Sequence, residues 1–158
     1  MNKLLGFLFI SLSILGSIPK KETLNVHSFS EVEKLQKTTP KPVVVFVHAD
    51  WCKICHGMEK STFSNSKIIK TLNKSFYFIK LNGEEKRDIT FLGKTFVFKP
   101  TGNNTGTHEL AIELATIHKR VSYPTTTILD KNFAIVLQLE GLITKNSMLS
   151  ILKKAKQL

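Results

Sequence analysis

From residue 43 onward, short apolar runs alternate with stretches whose apolar positions recur at helical spacing. Pro42-Val43-Val44-Val45-Phe46-Val47 is a continuous β-branched and aromatic run, the pattern of a strand buried on both faces. Cys52 to about Ser61 fits a helix, Lys67 to Asn73 a second one, and Phe76 to Leu81 another strand. Strand, helix and strand in that order predict a parallel βαβ unit. Ahead of it, Ser30-Glu31-Val32-Glu33 has capping-box spacing. A short helix is therefore expected over Glu31 to Lys37, stopped by Thr39, Pro40 and Pro42.

The second half is more broken. Ile89 to Lys99 holds two apolar runs about Gly93-Lys94 and reads as a hairpin. Gly102-Asn103-Asn104-Thr105-Gly106 reads as a loop leading to a helix from about His108 to Lys119. Leu110, Ile112, Leu114 and Ile117 are expected to pack that helix against the sheet. Thr125 to Leu129 and Ala134 to Leu139 flank Asp130-Lys131-Asn132, an antiparallel hairpin. Lys145 to Lys156 closes the chain as a helix carrying Met148, Leu149, Ile151 and Leu152. No internal repeat interrupts this order.

The N-terminus differs from everything after it. Lys3 precedes an apolar run from Leu4 to Ile18, and Lys20 and Lys21 follow. Fifteen residues fall short of the roughly twenty a membrane-spanning helix needs, so residues 1–18 are expected to be an export signal. No cleavage site stands out, which leaves an uncleaved N-terminal anchor as the other expectation. Residues 19–158 then form one domain, for which 42% hydrophobic content and eleven Phe supply an ordinary core.

A net charge of +11 is nearly all lysine, the only arginines being Arg87 and Arg120. Along the sequence these lysines are scattered, with no stripe of forked donors and interleaved aromatics, so a dedicated nucleic-acid surface is not expected. Loose attraction to acidic partners or to an anionic membrane surface is.

The two cysteines of the chain stand as Cys52-Lys53-Ile54-Cys55, between the buried strand and the helix. A helix N-terminus favours thiolate over thiol at the first of them, and Lys53 adds positive charge. The second lies one turn on, placed to attack a mixed disulfide formed at the first. Cys52 is thus the candidate nucleophile and Cys55 the resolving thiol. Three other chemistries use the same residues. A structural disulfide closing so short a loop removes little chain entropy. Zinc would need His48 and His56 to converge with the cysteines. Cys52-Lys53-Ile54-Cys55-His56 also satisfies the haem c attachment pattern, though it follows a strand in an α/β chain that fills its own core.

Ala49-Asp50-Trp51-Cys52-Lys53-Ile54-Cys55 after an apolar strand, with Ser122-Tyr123-Pro124-Thr125 opening a later one, resembles the thioredoxin superfamily over about Phe29 to Leu158. The likeness is nearest to exported bacterial thioredoxin-like proteins of the Bacteroidetes type. It implies an α/β fold with a central mixed sheet of four or five strands flanked by helices. It also implies a cis bond before Pro124 beside the cysteines, substrate docking on Tyr123 and Pro124, and Trp51 as the aromatic flanking the site. The implied activity is protein thiol–disulfide exchange outside the cytoplasm, in the periplasm, by a monomer that needs no cofactor or metal and draws electrons from a membrane or periplasmic thiol donor. The other function class is a peptide-binding or chaperone-like module with the cysteines as a switch.

Two departures from that pattern stand out. Phe46 occupies the strand position where thioredoxins proper carry a buried carboxylate, while Lys80 aligns with the lysine that faces it. Proton removal from Cys55 then needs another group, for which Glu84 and Glu85 are the candidates considered. The Lys53-Ile54 dipeptide is neither the Gly-Pro of thioredoxins nor the Pro-His of the periplasmic oxidant, so no redox poise carries over from a superfamily spanning roughly −270 to −120 mV. The stretch from about Arg87 to Lys119 is an insertion before the proline.

Overall fold

The computed structural model describes residues 22–157. Along the chain run α1 (Phe29–Gln36), β1 (Val43–His48), α2 (Lys53–Met58) with a π-helical turn (Glu59–Phe63), α3 (Ser66–Ser75) and β2 (Tyr77–Asn82). Two hairpins follow, β3 (Ile89–Phe91) with β4 (Lys94–Phe96) and β5 (Phe98–Gly102) with β6 (Thr105–His108). Then come α4 (Glu109–Ala115), a small ladder of β7 (Thr116–Ile117) and β8 (Arg120–Val121), β9 (Thr125–Leu129), β10 (Ile135–Glu140) and α5 (Lys145–Ala155).

Four strands make the central sheet in the order β10-β9-β1-β2. β1 pairs with β2 in parallel and with β9 antiparallel, so the sheet is mixed, with the unbroken apolar run of β1 inside it. Every residue of β1 is buried. Its alternate side chains enter two cores: Val44 and Phe46 face α2, α3 and α5, while Val43, Val45 and Val47 face α1, β3–β4 and α4. Burying each such side chain contributes about 1.5–3 kcal/mol. The C-terminal end of β1 delivers the chain into α2, which sets the cysteines at that end of the sheet.

Several boundaries differ from the sequence reading, each for a local reason. The spacing Ser-x-x-Glu occurs twice, and the earlier copy forms the capping box: Ser28 caps α1 and Glu31 reaches back to the Ser28 amide at 2.7 Å. Starting there buries Phe29 and Val32, with Phe29 against Phe91 at 4.9 Å between centroids. Glu33, freed from capping, accepts from the Leu92 amide. The helix expected through Ser61 widens after Met58 into the π-helical turn, where Phe63 packs between Phe46 and Phe78 at 4.8 and 4.9 Å. Thr62 there donates to the Ile143 carbonyl at 2.7 Å.

The expected loop 102–106 is the end of a second hairpin, β5–β6, turning at Asn103-Asn104 with Asn104 at φ 63°. α4 is shorter than expected and ends at Ala115. Thr116 and Ile117, β-branched, pair instead with Val121 and Arg120 across His118 and Lys119, both at positive φ. Leu110 and Leu114 pack inward as expected, together with Ala111 and Ala115, but Ile112 faces solvent. The hairpin of β9 and β10 and the final helix stand where the sequence puts them. The proposed export signal, residues 1–18, lies outside the described residues.

Candidate redox site

Cys52 occupies the N-cap of α2 and Cys55 its first turn, and their sulfurs form a disulfide. Local hydrogen bonds fold this corner: the Cys52 amide donates to the Ala49 carbonyl at 3.0 Å, and the Cys55 amide donates to Cys52 Sγ at 3.1 Å. That second bond falls on the sulfur at the positive end of the helix, where negative charge is favoured once the disulfide opens. Cys52 is 5% exposed and Cys55 0%, so only Cys52 reaches the surface.

Asp50 and Trp51 are tied to the loop after β2. Asn82 Nδ2 donates to Asp50 Oδ2 at 3.0 Å, and Trp51 Nε1 donates to Glu84 Oε1 at 2.9 Å. The Gly83 amide donates to the His48 carbonyl at 2.7 Å. Trp51, next to Cys52 in the chain, is 65% exposed, so its indole presents an open apolar surface. It meets Tyr123 edge-on at 6.0 Å.

The Tyr123–Pro124 peptide bond is cis, and the Pro124 carbonyl accepts from Gly141 at 2.8 Å. The hydroxyl end of the Tyr123 ring lies against Gly83, where an added Cβ would stand 2.1 Å from its hydroxyl oxygen. Burial, and then Glu84, push the Tyr123 hydroxyl above its usual range, beside Thr107 and with no well-formed hydrogen bond. The Gly83 carbonyl accepts from the His108 amide at 2.8 Å, which fastens the insertion to the same loop. Beyond Gly141, Leu142 is 57% exposed, as is Ile54 at 56% between the cysteines.

Lys80 sits on β2 opposite Phe46, and its charge is answered from the helix side. Both Glu59 oxygens lie 2.9 Å from Lys80 Nζ; Oε2 takes the hydrogen bond, leaving Oε1 buried with none of its own. Glu59 follows Cys55 by one helical turn, and Phe46 fills the strand position opposite with a ring. Sequence reading missed Glu59 because it sought the base for Cys55 at Glu84 and Glu85, just after β2; the signal was a lone carboxylate one turn beyond the second cysteine. Glu84 and Glu85 are occupied elsewhere, the first by Trp51 and the second by Arg87, which holds the Glu85 carboxyl down at about 2.

His48 is buried, and burial together with Lys80 holds its imidazole below the usual range, so it is neutral at neutral pH. His56 is exposed, its Nε2 2.8 Å from the Asp50 carbonyl. The two histidines therefore lie in different surroundings, one buried near Lys80 and Glu59, the other on the helix surface. Among the described residues no group of three or more metal-ligating side chains assembles. Lys53 is exposed.

A four-stranded mixed sheet flanked by helices, with a Cys-x-x-Cys disulfide at the helix N-terminus after its central strand, defines a thioredoxin-fold protein. The family described as Thioredoxin-like domain matches residues 29–156, and the chain belongs to that family. Among solved structures it is similar to DsbH oxidoreductase, with a TM-score of 0.59, 16% identity and coverage of 94% of this chain and 95% of that one. A thioredoxin from Thermus thermophilus gives 0.58 and 19% over 84% and 86%. The C-terminal domain of Neisseria meningitidis DsbD gives 0.50 and 14% over 78% and 89%. Among curated proteins, 67 residues are 37% identical to uncharacterized protein B0495.5 of Caenorhabditis elegans, and 61 residues are 34% identical to mouse spermatogenesis-associated protein 20. Those matches cover 42% and 39% of this chain but only 9% and 8% of the relatives. The chain thus spans under a tenth of the curated relatives it matches.

Proposed function

We propose that the chain is an exported protein thiol–disulfide oxidoreductase that reduces or isomerises disulfides of other proteins. The observation that carries this is a nearly buried disulfide, open only at Cys52, with the exposed side chains of Trp51 before it and Ile54 within it. Such a surface suits an extended segment of an unfolded or flexible substrate, laid along Tyr123 and Pro124 beside the sulfurs.

In the reductive direction the Cys52 thiolate attacks one sulfur of the substrate disulfide, and the other sulfur leaves as a thiolate that takes a proton. Cys55 loses its proton and attacks Cys52 Sγ, expelling the second substrate thiolate and closing Cys52–Cys55. Two electrons pass to the substrate, and a dithiol donor at the membrane restores them. Glu59 is the group proposed to take the Cys55 proton: it stands one helical turn beyond Cys55, its amide donating to the Cys55 carbonyl, and Lys80 Nζ lies 2.9 Å from both its carboxylate oxygens. A cleft lined by Thr23, Leu24, Glu59, Phe63 and Lys80 opens it to solvent.

A redox titration followed by Trp51 fluorescence, across glutathione and dithiothreitol ratios, tests the reading directly. One reversible two-electron transition is expected; a midpoint near about −270 mV marks a reductase and near about −120 mV an oxidant. Absence of such a transition sinks the proposal.

Glu59→Gln keeps the side-chain shape but removes the base. Its release of substrate from the mixed disulfide is expected to slow by about a hundredfold and to recover as pH rises, while the first attack is unchanged. Single-turnover kinetics separate the two steps, and equal rates in both proteins would dismiss Glu59 as proton acceptor.

A further inference from the structure

Lysines scattered in sequence are gathered in space. β1 and β2 begin, and β9 ends, at the edge of the sheet remote from the disulfide. α3 runs toward that edge and ends with Lys74, and α5 does the same with Lys153, Lys154 and Lys156. The connection from α1 to β1 adds Lys37 and Lys41, and the turn between β9 and β10 adds Lys131; Gln36 joins these two, donating to the carbonyls of Lys41 and Lys131. All seven are at least partly exposed, and none is ion-paired among the described residues. The carboxylates at this end are engaged: Asp130 accepts from the Asn132 and Ala134 amides, and Glu22 from Asn73 Nδ2. Asp50, Glu59, Glu84 and Glu85 lie toward the disulfide end, where Lys80 and Arg87 are paired with Glu59 and Glu85, so the unpaired lysines of the far end are not matched by ion-paired carboxylates there.

The chain also enters the domain at this face. Asn73, next to Lys74, receives the incoming segment: it donates to the Thr23 carbonyl at 2.8 Å and accepts from the Asn25 amide at 2.9 Å. Immediately before that segment stand Lys20, Lys21 and the apolar run Leu4 to Ile18. Val26 and Ile135, at the same end, are 54% and 46% exposed. Lysines around exposed apolar side chains, fed by an apolar segment, are the composition of a surface that rests on lipid headgroups. A nucleic-acid face would want stacking aromatics and arginine forks; the exposed aromatic, Trp51, is at the other end.

We infer that this lysine face docks on an anionic phospholipid bilayer, holding the Cys52–Cys55 disulfide away from the membrane by the length of the sheet, about 20 Å for a six-residue strand. The inference is independent of the redox chemistry, since it uses none of the active-site residues.

The test is sedimentation of the full-length protein with vesicles of phosphatidylcholine alone and of phosphatidylcholine mixed with phosphatidylglycerol, at low and high salt. Tighter binding to the mixed vesicles is expected, erased by salt. The variant Lys74→Gln/Lys153→Gln/Lys154→Gln/Lys156→Gln should lose about fivefold per lysine on mixed vesicles. It should lose nothing on neutral ones, which report the apolar segment, and its insulin reduction and circular dichroism should match the parent. Lys94→Gln, on the β3–β4 hairpin, should bind like the parent. Trp51, the only tryptophan, should escape quenching by brominated lipids. Undiminished binding by the quadruple variant, strong Trp51 quenching, or loss of duplex DNA or RNA binding with vesicle binding intact would each overturn the inference.

Discussion

Cys52→Ser is expected to reduce insulin turnover to the uncatalysed background, and Cys55→Ser to stop it one step later, with substrate held on Cys52. The two variants differ because only Cys52 reaches the surface, at 5% against 0% exposure, and because Cys52 Sγ receives the Cys55 amide at 3.1 Å. A serine at Cys52 keeps a hydrogen-bond acceptor at the helix N-cap, so the fold should persist while the nucleophile is gone. A serine at Cys55 leaves the nucleophile but removes the thiol that expels the product. Non-reducing gels should therefore show covalent adducts with disulfide-bearing clients such as insulin for Cys55→Ser alone, one client sulfur held on Cys52 and the other released as a thiol. The outcome also separates two classes of protein that the exposed side chains of Trp51 and Ile54 would serve. A disulfide exchanger loses its activity with Cys52. A holdase would keep unfolded clients soluble in either variant, its binding resting on apolar contact rather than on sulfur.

How much of this was legible in the chain depended on whether the signal was local. Buried β1 and the helix that follows could be read because a six-residue apolar strand and a Cys-x-x-Cys junction are contiguous patterns. The ends of α1 and α4 could not. Two overlapping Ser-x-x-Glu spacings compete for one cap, and the winner is decided by Phe29 meeting Phe91, a contact between distant residues. The β-branched pair Thr116-Ile117 fits a helix or a strand until Arg120 and Val121 turn back on it. At the site, Cys52, Cys55 and Trp51 carried their own signature, whereas Glu59 did not. Its meaning comes from Lys80 on a strand 21 residues away, at 2.9 Å. The lysine face is the same kind of case. Lys41, Lys74, Lys131 and Lys156 have no periodicity in common, and only the way the strands and helices fold back on one another places them at one end of the sheet.

Gly83→Ala is expected to destabilise the protein by about 1–3 kcal/mol and to impair substrate turnover more than its distance in sequence from the cysteines suggests. The glycine is buried, and the space its Cβ would take is already filled by Tyr123, with three ring and hydroxyl atoms at 2.1 to 2.4 Å. Neither partner yields easily. Gly83 is pinned on both sides, its amide to His48 and its carbonyl to the His108 amide. Tyr123 lies edge-on to Trp51 and precedes Pro124, whose carbonyl is held by Gly141. The added methyl must therefore push Tyr123 off its seat, moving the backbone proposed to receive substrate and loosening Trp51 from Glu84. Denaturant unfolding and insulin reduction by Gly83→Ala, Tyr123→Ala and the double variant form a cycle that isolates this contact. If the clash is the cause, Tyr123→Ala makes the alanine at 83 harmless, and the double variant is no less stable than Tyr123→Ala alone. Additive losses would place the effect of Gly83 in the strand–loop bonds to His48 and His108 instead.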